Sequence, residues 1–218
     1  MSDSRFIIAP PVMPSLAVSG DTRRFPVGRV FCVGRNYADH AREMGSDPDR
    51  EPPFFFTKPA SSVVAGPAVA YPPMTADLHH EVELVVALGP DASIVGHAVG
   101  IDFTRRDLQA VAKAAARPWD MSKGFDGAAP VGALTPGAAI PDAAIALSVD
   151  GVLRQSGRLS DMIWSVPEII AELSRYLVLL PGDLIFTGTP AGVGAVGVGA
   201  HLNASIDGLA PLEITLTA

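Results

Sequence analysis

Two acidic side chains alternate with apolar ones in His79-His80-Glu81-Val82-Glu83-Leu84-Val85-Val86-Ala87-Leu88. That pattern predicts a β-strand from Glu81, with Val82, Leu84, Val86 and Leu88 on one face and Glu81 and Glu83 on the other. At the usual rise the two carboxylates stand roughly 6.6 Å apart along the strand. Carboxylates held side by side resist ionising unless a cation lies between them. A hard divalent metal is one reading; two solvated glutamates on a half-exposed strand is the other. A third carboxylate, Asp102, lies in the strand-like stretch 98–104. If the two strands are neighbours, Glu81, Glu83 and Asp102 form an all-oxygen set, which suits Mg²⁺, Mn²⁺ or Ca²⁺ better than zinc. His79 and His80 are adjacent, so a strand turns them to opposite faces and at most one can join the glutamates.

Other residues carry chemistry only if the fold gathers them. His40 and Glu43 are i, i+3 on a predicted helix, where a carboxylate can orient an imidazole that deprotonates water. A solvated helix face explains the same spacing. Arg106 and Gln109 share that spacing just after Asp102, and could bracket a substrate carboxylate and its oxo group. Lys123 stands in a Gly/aromatic loop, either as a surface lysine or as a cation for a carboxylate or a developing enolate. The glycine-rich stretch 187–199 contains neither G-x-x-x-x-G-K-[ST] nor a helix-opening G-x-G-x-x-G, which argues against nucleotide binding. Its backbone N–H groups and the hydroxyls of Thr187 and Thr189 could still cradle a small carboxylate.

The elements that must position these residues are mostly strands. Apolar runs at 29–33, 54–59, 184–186, 202–206 and 212–216 read as strands, and Asp150-Gly151 joins 145–149 to 152–155 as a two-residue hairpin turn. Residues 105–117 are predicted helical by propensity, ending at Pro118, and 166–177 form a second helix starting near Pro167. Residues 1–28 read as an extended Pro-rich arm, 45–53 as a lid-like loop, and 29–218 as one catalytic domain. Many short strands also fit 21 glycines and 20 prolines in 218 residues.

Composition narrows the function. The chain is 48% hydrophobic and 18% charged, yet no apolar run approaches the roughly 20 residues of a membrane span. The first residues are broken by Pro10, Pro11 and Pro14 and lack a basic leader, so a secretory signal is not expected. One cysteine, Cys32, excludes an internal disulfide framework and fits a reducing, cytoplasmic setting. A net charge of −7 argues against nucleic acid as a partner but not against an anionic substrate met by local positive charge.

Six blocks occur in a fixed order: C-V-G-R-N-Y-A-D-H (32–40), F-T-K-P (56–59), L-H-H-E-V-E-L (78–84), D-F-T-R-R-D-L-Q (102–109), S-K-G-F-D (122–126) and P-G-D-L-I-F-T-G-T-P (181–190). This ordered set resembles the fumarylacetoacetate hydrolase family, closest to its acylpyruvase and fumarylpyruvate hydrolase branch. The resemblance implies an α+β, β-rich mixed roll with a few flanking helices, and a homodimer. It implies Mg²⁺ or Mn²⁺ on Glu81, Glu83 and Asp102, with His40 and Glu43 activating water on a lid. Lys123 would assist the anionic intermediate, and Arg106, Gln109 and Thr189 would bind substrate. The implied reaction is hydrolytic carbon–carbon cleavage of a 2,4-dioxo acid, fumarylpyruvate first, to pyruvate and a carboxylic acid in aromatic-compound catabolism. Oxaloacetate decarboxylation or isomerisation of an oxo acid uses the same metal and enolate. In this chain only residues 89–101 separate the E-x-E-L strand from Asp102, where the family has a longer connection. A silent metal and oxo-acid binding protein is therefore a third expectation.

Overall fold

The structure, a computed structural model, describes residues 6–39 and 51–218. A mixed six-stranded sheet runs in the order Thr135–Pro136, Ile94–Ile101, Val82–Leu88, Leu184–Phe186, Val30–Gly34, Phe54–Lys58. Leu184–Phe186 pairs parallel to Val30–Gly34 and antiparallel to Val82–Leu88. A second sheet holds Val152–Arg158, Ala144–Val149, His201–Ile206, Leu212–Thr217 and Ala68–Ala70. The main core lies between the two. Val82, Leu84, Val86 and Leu88 from the first sheet share one apolar cluster with Ile145, Leu147, Leu202, Ala204 and Ile214 from the second. This is the expected β-rich α+β roll with few helices.

Val82–Leu88 is buried on both faces. Its other face carries Val85 and Ala87 into a smaller cluster with Cys32, Ala98, Leu184 and Phe186. Each valine or leucine of this strand contributes about 1.5–3 kcal/mol when fully buried, so the central strand is strongly held. Gly100, opposite Glu83 in the register, is part of that packing. A Cβ there would lie 2.5 Å from Val85 Cγ2 and 2.8 Å from Phe186 Cε1, which leaves room only for glycine.

Several elements differ from the sequence reading. The strand expected from Glu81 begins at Val82, because the chain changes sheets at Glu81: Leu78–His80 pairs with Thr104–Arg105 and Gly194–Val196 in a separate three-stranded sheet. The helix expected over 105–117 spans Arg106–Ala114, and Ala116 takes a positive φ of 49° before Pro118. Arg117, directly before Pro118, is disfavoured in the α region, so the helix cannot run to 117. The second helix, Val166–Leu173, is also shorter than expected, and a capping box of Ser165 and Glu168 opens it. Within residues 1–28, Ser15–Val18 and Asp21–Pro26 form a hairpin, and Leu16 and Val27 are buried in the smaller core. The Asp150-Gly151 turn matches the expectation, with φ of 51° and 78° at its two residues. The short connection after Leu88 is a tight turn at 89–93 leading into an eight-residue strand, Ile94–Ile101. Among the described residues no helix is long and apolar enough to cross a membrane.

Candidate active site

Val82–Leu88 and Ile94–Ile101 are antiparallel, with Val82 opposite Ile101. One residue further out, Asp102 N donates to Glu81 O at 2.8 Å. Both strands then leave the six-stranded sheet for the three-stranded one, so Glu81 and Asp102 face each other at a corner. Glu83, two residues along, shares Glu81's face. The three buried carboxylates each bring an oxygen within 4.8 Å of the others.

Cations surround this triad. Lys123 Nζ donates to Glu81 Oε2 and to Asp102 Oδ2, each at 2.7 Å. Arg106 Nη2 donates to Glu81 Oε1 through a very short bond, and Arg106 Nη1 donates to Gln109 Oε1 at 2.6 Å. Lys58 Nζ lies 2.7 Å from Asp102 Oδ1. Its three protons, however, go to the carbonyls of Phe103 at 3.2 Å, Lys123 at 2.5 Å and Ala128 at 3.0 Å. Asp102 Oδ1 therefore has a charged neighbour but no hydrogen bond, despite being buried. Burial acts to lower the Lys123 pKa, but the Asp102 and Glu81 charges outweigh it and hold the ammonium protonated.

Glu83 is the unbalanced member. Burial above all, then the charges of Asp102 and Glu81, raise its carboxyl well above the usual glutamate range. The Gly188 N–H, 2.7 Å from Glu83 Oε2, offsets only part of this. Gly188 can deliver that N–H because its φ is +99° and a Cβ would fall 2.6 Å from Asn36 Cβ. A hard divalent cation would meet the unsatisfied Asp102 oxygen and remove the penalty on Glu83, so the donor set fits such an ion.

A narrow cleft of about 40 Å³ opens above the triad. Arg106, Gln109, Lys123 and Thr189 line it, so the fold gathers these sequence-selected residues with the three carboxylates. His40 and Glu43 lie outside the described residues, as does the 45–50 part of the predicted lid. His79 and His80 do point apart. His79 Nδ1 sits 3.4 Å from Arg106 Nε, while His80 Nδ1 lies 2.9 Å from Gln155 Oε1.

Sequence reasoning missed Lys58 and Gln155. Lys58 closes an apolar strand directly before Pro59, a signal that a lysine stem is buried there. Gln155 gives no such signal, being the one buried residue on the otherwise open strand Val152–Arg158. Its Oε1 accepts from Val82 N at 3.0 Å, and its Nε2 donates to Thr189 Oγ1 at 2.8 Å and Pro190 O at 2.9 Å. That amide ties the strand carrying Glu83 to the Thr189 loop.

Residues 29–217 match the fumarylacetoacetate (FAA) hydrolase C-terminal family. The chain is 43% identical to a fumarylpyruvate hydrolase from a Ralstonia species, over 79% of this chain and 98% of that protein. It is 40% identical to a mitochondrial oxaloacetate tautomerase from Arabidopsis thaliana, over 91% of this chain and 95% of the other. A crystal structure of fumarylpyruvate hydrolase from Pseudomonas aeruginosa, in complex with Mn²⁺ and pyruvate, superposes with a TM-score of 0.93 at 48% identity. That match covers 97% of this chain and 99% of the other. The buried acidic corner, the roll that holds it and these likenesses agree: the chain belongs to the fumarylacetoacetate hydrolase family.

Proposed function

We propose that this protein hydrolyses a 2,4-dioxo acid, fumarylpyruvate foremost, to pyruvate and a carboxylic acid, with residues 29–218 as the catalytic unit of a homodimer. The observation that carries the reading is the buried Glu81–Glu83–Asp102 corner with Lys123 bonded to two of its members. The likeness to a fumarylpyruvate hydrolase holding Mn²⁺ and pyruvate supports it. Glu81, Glu83 and Asp102 would hold Mg²⁺ or Mn²⁺, which supplies Lewis acidity and a template for the oxo acid.

The chain's own groups then divide the work. Arg106, its guanidinium fixed by Glu81 and Gln109, binds the substrate carboxylate together with Thr189. His40, oriented by Glu43, takes a proton from the water that adds to the 4-carbonyl carbon. The C3–C4 bond breaks, leaving a carboxylic acid and a pyruvate enolate. The Lys123 ammonium faces that developing negative charge. Protonation at C3 yields pyruvate.

A second reading has a specific basis in the oxaloacetate tautomerase relatives. Tautomerisation moves a proton at C3 and decarboxylation expels CO₂; neither needs an activated water. Coverage of 99% of the Pseudomonas aeruginosa chain weighs against a missing insert after Leu88, the feature on which the reading of a silent binding protein rests. The test is turnover of acetylpyruvate, fumarylpyruvate and oxaloacetate, each with Mg²⁺, with Mn²⁺ and with EDTA. Metal-dependent loss of the diketo chromophore is expected, fastest with fumarylpyruvate. Turnover of oxaloacetate alone transfers the assignment to the second reading.

A further inference from the structure

The cleft has a second charged wall that neither the metal corner nor the pyruvate end of the substrate uses. Arg35 and Lys113 line it, from two separate elements. Arg35 follows Val30–Gly34 directly, and Lys113 sits in the last turn of Arg106–Ala114. One aromatic pair brings them to the same side. Arg35 Cζ is 5.6 Å from the Phe54 ring centre, and Lys113 Nζ is 5.2 Å from that of Trp119. The two rings meet edge to face at 5.2 Å.

Lys58, Lys123 and Arg106 are all engaged by the carboxylate triad. Arg35 and Lys113, by contrast, have no carboxylate partner among the described residues; each rests only on a ring. Arg35 also holds a φ of 59°, a strained conformation for a non-glycine residue and one that recurs at ligand clamps. Burial above all, then the nearby charges of Arg106 and Arg35, lower the Lys113 pKa, with the Glu81 charge opposing them, so Lys113 and Arg35 stand in one cationic neighbourhood.

Building on the acylpyruvate reading, we propose that Arg35 and Lys113 form an anion subsite for a carboxylate at the acyl end of the substrate. The site thereby selects dicarboxylic acylpyruvates over those with a neutral acyl group. A fumaryl chain is flat and unsaturated, suited to lie along Phe54 and Trp119 with its terminal carboxylate between the two cations. An acetyl group would leave both cations unmatched.

The test compares fumarylpyruvate with acetylpyruvate in the Mn²⁺-loaded protein and in Arg35→Asn, Lys113→Gln and the double variant. Asparagine is chosen because it tolerates positive φ. The ratio of kcat/KM for fumarylpyruvate to that for acetylpyruvate is expected to fall about tenfold or more per substitution, mainly through KM. A ratio that stays constant, or an equal loss on both substrates, overturns the subsite. If the unaltered protein turns over neither compound, the hydrolase reading fails, and calorimetric binding of the same two compounds decides the subsite separately. Tighter binding of fumarylpyruvate, lost in the double variant, upholds it; equal affinity in the unaltered protein overturns it.

Discussion

The inner corner of the cleft and its outer wall both concentrate charge, yet they are built in opposite ways. At the corner, Glu81 and Asp102 are met by Lys58, Lys123 and Arg106 while Glu83 has no cation bonded to it among the described residues, and nearly every donor is committed to a named acceptor. On the wall, Arg35 and Lys113 lean on aromatic rings and meet no anion among the described residues. Buried charges whose donors are nearly all committed keep one geometry, which suits bond-breaking. An unsaturated cationic wall is poised to accept a variable group. The contrast suggests chemistry inside and selection outside, and each half can be broken separately.

The largest effect belongs to the corner. Glu83→Ala is expected to remove metal-dependent turnover and high-affinity Mn²⁺ binding together, read by the diketo assay and by electron paramagnetic resonance. An unchanged rate would sink the assignment of Glu83 as a ligand. Next is His40→Ala, expected to stop hydrolysis while sparing most oxaloacetate turnover. Parallel loss of both reactions would mean that His40 does not act specifically on water.

Lys123→Met tests whether the ion pairs of the corner serve stability as well as chemistry. Losing one partner of a buried ion pair costs about 3–5 kcal/mol, because the remaining charges are left uncompensated. Turnover should fall by about 10²–10³-fold, the usual effect of deleting a group that stabilises a developing oxyanion. Mn²⁺ should then raise the melting temperature of the variant more than that of the parent, since the ion replaces the missing charge. If the metal-free variant melts with the parent, Lys123 is not structurally coupled to Glu81 and Asp102.

Much of the corner was legible in the chain because it depends on local patterns. Alternation in 81–88 marked the face carrying Glu81 and Glu83, and the Asp150-Gly151 turn announced its own hairpin. Arg106 and Gln109 showed their one-turn spacing before any fold was known. What stayed hidden depends on distant pairing. The bend at Glu81 arises because its strand joins two different sheets, which no window around residue 81 can reveal. Gln155 is buried only because Thr189 and Val82 come to it from other strands. The 15–26 hairpin has a polar second strand without alternation, and its burial comes from Leu16 and Val27 meeting the far face of Val82–Leu88. The pairing of Arg35 with Lys113 likewise depends on Phe54 touching Trp119, 65 positions later in the chain.

The smallest effect sharpens the contrast through protons. Glu83 is held protonated to higher pH than an ordinary glutamate by burial, with Asp102 and Glu81 adding to it. The folded, metal-free protein thus binds a proton that the unfolded chain has already released. Stability from this group is lost as pH rises from the ordinary glutamate pKa through the raised folded value. A divalent ion needs Glu83 ionised and must expel that proton. Mn²⁺ affinity should therefore weaken by about tenfold per pH unit below the folded pKa, one proton being displaced per ion. Calorimetry in buffers of different ionisation enthalpy would count the proton directly. Glu83→Gln should abolish the release along with tight binding, whereas Arg35→Asn should leave the proton count at one. If release persisted without Glu83, the unbalanced carboxyl would have to be assigned elsewhere in the corner.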